Sequence, residues 1–303
     1  MGGRAAEAEP LGRFVTAQAP NVRLVLASRP ENVMLVREVL VGVAEAAGLE
    51  AITLNDIRTA VTEACNNVVL HAYEGSEGPL ELEVYGSDDE VEVVVRDHGT
   101  GIRPQISSSQ DGSSGVGLLV IQALADRVVF QGAGVLAGRA GWDGTEVCMS
   151  FAAPGSQKLV IAREDRETEA APSDDLAYAE LATTTAVSVA PWRVTSTVLP
   201  RLLSALAARA RFSADRISDA QLLADELATR ARRDSPSGRL SLAAVVGQRD
   251  LLLRITPPRG ARAQPDALAP AGFGAVIERL TDDQHLASVG HAQTLDLRML
   301  DRR

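Results

Sequence analysis

The sequence predicts an α+β fold: a two-layer sandwich of helices on a mainly antiparallel sheet, present twice in tandem. Three observations predict it. Short strands of alternating apolar and polar residues come in hairpin pairs, as in "PLELEVYG" (79–86) and "EVEVVVRD" (90–97), joined by "SDD". Helical segments with apolar residues at i, i+3, i+4 and i+7 lie between them, without the strict strand–helix alternation of a parallel sheet. A second stretch repeats the same order of elements after a gap of about 155–160 residues.

The elements follow in order. "NVRLVLAS" (21–28) reads as a strand, and "ENVMLVREVLVGVAEAAG" (31–48) as a helix that stops at Gly48. "NDIRTAVTEACNNVVLHAY" (55–73) reads as a second helix, with Ile57, Ala60, Val61, Ala64, Val68 and Ala72 on its apolar face. After the hairpin comes a Gly/Ser loop over 98–114, then a helix "GVGLLVIQALAD" (115–126). Strands "RVVFQG" (127–132) and "GTEVCMSF" (144–151) close the unit.

Residues 152–185, rich in Ala, Glu, Asp, Thr and Ser, read as a linker. Beyond it, "QLLADELATRARRDSPSGRLSLAAVVGQRDLLLRITPPRGA" (221–261) tracks 58–101, with Glu226 on Glu63. "AGFGAVIERLTD" (271–282) matches 114–126, and "TLDLRML" (294–300) matches "TEVCMSF" (145–151). The domains expected are 13–152, a linker over 153–185, and 186–303.

Composition narrows the function. With 46% hydrophobic and 23% charged residues the chain is globular, and with 3% aromatics its cores are built from Ala, Val and Leu. A net charge of −10 argues against direct nucleic-acid or anionic-membrane binding. Two cysteines, Cys65 and Cys148, are too few for a zinc site or a disulfide framework, and Cys65 reads as a small core residue. No apolar run reaches the roughly 18 residues of a membrane span, and the first residues carry no signal-like stretch, so a cytoplasmic location is expected. No G-x-x-x-x-G-K-[ST] loop is present.

Four pieces of the first unit carry chemistry together. Glu63 and Asn67, four apart, share one edge of a helix. "DHGTG" (97–101) puts an aspartate at a strand end, followed by Gly99 and Gly101. "GVGLL" (115–119) places Gly115 and Gly117 at a helix start, and "GTEV" (144–147) opens the last strand with Gly-Thr. Taken singly, each has an ordinary reading as a strand stop, loop punctuation or turn exit. The ordered set is specific.

With that set the chain resembles the GHKL superfamily, whose ATP site is the Bergerat fold shared by gyrase and the histidine kinases. "TEACNNVVLHAY" (62–73) looks most like the anti-sigma serine kinases of bacterial partner switching. The resemblance implies ATP and Mg²⁺ as cofactors. It puts the Asn67 amide oxygen on the metal and Glu63 as general base or positioning group for the attacking hydroxyl. It puts Asp97 on the adenine amine, with Gly99 and Gly101 letting backbone approach the base. Gly115 and Gly117 become a phosphate cradle, and Thr145 completes the adenine pocket. His71 reads as a packed residue at the core edge. Arg37 matches a first-helix arginine that contacts the sigma factor or its antagonist in this family.

The resemblance implies a serine/threonine protein kinase that sequesters a sigma factor and phosphorylates a STAS-domain antagonist. The alternative is a nucleotide-gated binding module without catalysis. Ser113 and Ser114 favour it, because they stand where some relatives carry a phosphate-gripping arginine. In the second unit Asn67 becomes Arg230 and "DHGTG" becomes "PPRGA" (257–261), so no ATP is expected there. Family members are typically homodimers, and one intact and one degenerate copy imply an intramolecular pseudo-dimer.

Overall fold

The computed structural model describes residues 19–87, 89–100, 116–132, 144–156, 159, 184–234, 237–256, 274–289 and 292–302. Gly101, Gly115, Arg103, Ser113 and Ser114, and the segment 257–261, lie outside them.

Strand β1 (Val22–Ala27) leads through a single 3₁₀ turn (Pro30–Asn32) into α1 (Val33–Ala47). Gly48, at φ 70°, ends α1 by donating its N–H to Ala44 and Glu45 carbonyls. Helix α2 (Ala51–Asn67) restarts almost at once. This corrects the expected start at Asn55. The Asn55 carbonyl is already inside the helix and accepts from Thr59 Oγ1 at 2.8 Å. The α-helix also ends earlier than expected, at Asn67, and Val68–Ala72 form a π turn. Strands β2 (Pro79–Gly86) and β3 (Glu90–Asp97), helix α3 (Val116–Leu124), β4 (Arg127–Gly132) and β5 (Thr145–Ala152) complete the first half.

The second half runs β6 (Thr184–Val189), α4 (Trp192–Arg209), α5 (Ala214–Asp234), β7 (Leu240–Gly247), β8 (Asp250–Thr256), α6 (Gly274–Leu280), β9 (Asp283–Val289) and β10 (Ala292–Leu300). β6 begins two residues inside the stretch read as linker.

All ten strands form one sheet in the order β4-β5-β3-β2-β1-β6-β7-β8-β10-β9, and every described pairing is antiparallel. The order reads the same outward from the β1–β6 junction in both directions. Register shows the same correspondence. One apolar row runs Leu24–Leu82–Val95–Val147 across the first half, and Val187–Leu242–Ile255–Leu295 across the second, with Leu24 paired to Val187. These residues face the helices and are buried to within a few per cent, as period-2 alternation requires.

The junction has two layers. In the sheet, β1 pairs with β6 from Val22↔Val189 to Val25↔Ala186. Above it α1 packs on α4, so closely that a Cβ on Gly42 would lie 2.7 Å from the Val198 Cα. Arg201 reaches Glu45 at 2.9 Å, and Arg209 bonds Asn32. Asn21, fully buried, has both ends of its amide in use. Nδ2 donates to Leu159 and Ala190 carbonyls, and Oδ1 accepts from the Gly86 N–H. One contiguous apolar core runs through both halves.

The opposite face of the first-half sheet is ionic. Arg96 bridges Glu83 and Glu146, and Arg23 bridges Glu81 (3.2 Å) and Glu83 (3.7 Å). Burial alone would lower the Arg96 pKa, but the two carboxylates raise it above the ordinary value. Among the described residues, no helix is long and apolar enough to cross a membrane.

Candidate functional site

Alternation along β3 points Val91, Val93 and Val95 into the helix layer. Asp97 is next in that series, so an aspartate occupies a place where the pattern calls for an apolar side chain. It pairs with Leu80 and is 2% exposed. Its Oδ1 accepts the Gly99 N–H at 2.9 Å, and Thr145, buried at the start of β5, adds bonds from its N–H and hydroxyl. Burial raises the Asp97 pKa above the ordinary range, opposed by those three donors.

Above Asp97 is a cleft of about 310 Å³, counting the part open to solvent. Its polar lining is Asn67, His71, Asp97 and Thr145; Ala64, Val68, Ala72, Val95 and Val147 form an apolar floor. An apolar cleft with a carboxylate and a hydroxyl in its lining suits a heterocycle bearing a donor. His71 is exposed at this cleft, a correction to its reading as a packed residue. The π turn takes its side chain out of the apolar face.

Glu63 and Asn67 lie one helical turn apart on α2, both half-buried. Gly117, in the first turn of α3, sits over both. A Cβ there would lie 3.1 Å from Glu63 Oε2 and 3.6 Å from Asn67 Oδ1. The structure therefore places Asn67, Asp97 and Thr145 in the lining of one cleft, with Gly99 bonded to Asp97 and Gly117 packed over Glu63 and Asn67.

Arg37 stands apart on α1. It is exposed, and its Nε donates to Thr62 Oγ1 at 3.0 Å, next to Glu63 in sequence. Cys65 is fully buried, and burial pushes its thiol pKa up to about 12, which makes it inert packing.

Backbone approach accounts for Gly99, and also for Gly144, which the sequence did not single out. A Cβ on Gly99 would lie 2.0 Å from the Ala72 carbonyl oxygen, and one on Gly144 would lie 2.0 Å from the Asp97 carbonyl oxygen. The Thr100 N–H donates to that same Ala72 carbonyl at 3.0 Å. The Gly-Thr pair was the signal for Gly144, but only its threonine was singled out.

In the second half, Glu226 and Arg230 are half-buried on α5, four apart like Glu63 and Asn67. Register corrects one expected match. Leu295 occupies the place of Val147, so Thr294 lies one residue out of step with Thr145 and does not share its inward orientation.

An antiparallel sheet under a helix layer, with this cleft between them, is consistent with a histidine kinase-like ATPase domain, and the family of that description matches residues 26–151. Among relatives, the serine-protein kinase RsbW of Listeria innocua is 33% identical over 120 residues, spanning 35% of this chain and 76% of that protein. RsbW of Bacillus subtilis is 30% identical over 126 residues (37% and 79%), and that of Bacillus pumilus 30% over 125 (36% and 77%). The chain belongs to this GHKL anti-sigma serine kinase family. Among solved structures, crystal form I of TP0453 aligns over 97% of the chain at 11% identity and a TM-score of 0.35, too slight a likeness to bear on the fold.

Proposed function

We propose that the chain is an ATP-dependent regulatory serine/threonine protein kinase that sequesters a sigma factor and phosphorylates a STAS-domain antagonist. The observation that carries this reading is one cleft lined by Asn67, Asp97 and Thr145, with Gly117 resting over Glu63 and Asn67.

The residues fit Mg·ATP chemically. Asp97 accepts from the adenine amine, Thr145 fixes the Asp97 rotamer, and Gly99 and Gly101 keep the base edge free of side chains. Asn67 offers a neutral oxygen to Mg²⁺. Gly117, in the first turn of α3, would offer its backbone N–H to the phosphates, and the resemblance gives Gly115 the same role. Bound Mg·ATP supplies the electrophilic γ-phosphorus. With it bound, Glu63 would accept the proton of the substrate hydroxyl, whose oxygen would take the γ-phosphoryl group as ADP leaves. Arg37 contacts the protein partner.

The palindromic strand order and the paired junctions β1–β6 and α1–α4 support a second proposal: the two halves are copies of one unit, joined as an intramolecular pseudo-dimer with one ATP site. Binding of two ATP per chain would sink it.

The decisive experiment mixes the protein with Mg·ATP and each purified STAS-domain candidate from the same genome, then weighs the candidate. A gain of about 80 Da, one phosphoryl group, that disappears in Glu63→Ala supports the kinase. ATP binding with no gain on any candidate supports the nucleotide-gated module, the reading that Ser113 and Ser114 favour.

A further inference from the structure

We propose that Tyr73 is a positioning residue for adenine recognition, its hydroxyl setting the place of the turn that presents Asp97. The proposal rests on the reading of Asp97 as the adenine acceptor.

Tyr73 follows the π turn directly. Its Oη donates to the Pro79 carbonyl at 2.5 Å and accepts the His98 N–H at 2.9 Å. Pro79 opens β2, and His98 follows the last residue of β3. One hydroxyl therefore ties the entry of one strand to the exit of its neighbour, beside the Leu80↔Asp97 pair. The ring has a fixed seat, since a Cβ on Gly78 would lie 2.2 Å from its Cε1.

Other contacts hold the same turn. The Thr100 N–H meets the Ala72 carbonyl, and the His98 imidazole Nε2 meets Glu81 at 2.9 Å. Ala72 and Tyr73 thus join the end of the Glu63/Asn67 helix to the Asp97 turn. A buried carboxylate recognises one N–H donor only where distance and angle hold within a few tenths of an ångström. The Tyr73 hydroxyl holds the backbone directly after Asp97, at His98, while the Ala72 carbonyl holds it two residues further on, at Thr100.

The test compares Tyr73→Phe with wild type in binding Mg·ATP and Mg·purine riboside 5′-triphosphate, which lacks the exocyclic amine, by calorimetry. Thermal melting monitors folding. Wild type should prefer ATP by roughly tenfold, the worth of one well-made hydrogen bond. Tyr73→Phe keeps the ring but should lose most of that preference, binding the amine-free nucleotide as wild type does. Gly78→Ala, which pushes the ring out of its seat, should lose it too. Equal weakening toward both nucleotides, or an unchanged preference, would overturn the role of Tyr73. Absence of any preference in wild type would overturn the adenine reading of Asp97 itself, and this proposal with it.

Discussion

Thr197 Oγ1 donates to the Gly42 carbonyl at 2.6 Å, across the line where α1 meets α4. The bond forms because residue 42 has no side chain, which lets the two helices approach. Gly42→Leu forces a Cβ against the Val198 backbone, and overpacking of this kind costs about 1–3 kcal/mol. The urea midpoint should fall accordingly. Thr197→Val, which loses only the hydrogen bond, should cost about 1 kcal/mol.

Asn67→Arg gives α2 the residue that α5 carries at the corresponding place. The expected result is loss of Mg²⁺-dependent ATP binding, measured with a fluorescent ATP analogue. Arg230→Asn should create no second site, because Pro257, which follows β8, offers no side-chain acceptor for adenine. Stoichiometry in Arg230→Asn should stay at one nucleotide per chain; two would overturn that expectation.

The three cleft glycines should differ in their response to alanine. At Gly99 and Gly144 the added methyl meets backbone oxygen at 2.0 Å and must displace the Asp97 turn. Nucleotide affinity should fall by roughly tenfold or more, as expected when a buried hydrogen bond is lost. At Gly117 the methyl meets the movable end of Glu63 at 3.1 Å. Affinity there should change little while phosphoryl transfer slows, which single-turnover measurements separate from binding.

Stability should carry a signature of Glu92. Burial, and then the charge of Glu90, push its pKa up to about 7 from 4.5. The folded state therefore holds this proton more tightly than the unfolded chain. The contribution is fully present below about pH 4.5 and is lost as pH rises through 7. Glu92→Gln should flatten this slope and stabilise the protein at pH 8 by on the order of 1 kcal/mol, allowing for solvent screening of a half-exposed group. Chemical denaturation at several pH values reads it.

Much of the site was legible because local pattern sets it. The helical spacing of Glu63 and Asn67, and the alternation that carries Asp97 inward, depend on residues near in sequence. Gly144 and Tyr73 were not legible as site residues, because their partners, the Asp97 carbonyl and the His98 N–H, meet them only after distant segments pack. The π turn at Val68–Ala72 was hidden because its residues also satisfy helical spacing. The start of α2 was missed because Glu50 precedes it with no side-chain cap bond. The single sheet could not be read from either half alone, since nothing in "NVRLVLAS" says which strand takes its second edge.

That second edge of β1 is filled by β6 of the same chain. Its formation is thus a first-order event within one molecule, not a bimolecular encounter. A junction made this way has no dissociation constant to set against cellular abundance. It is complete in a single molecule and survives dilution. A regulator needed in few copies would keep its working geometry at any expression level.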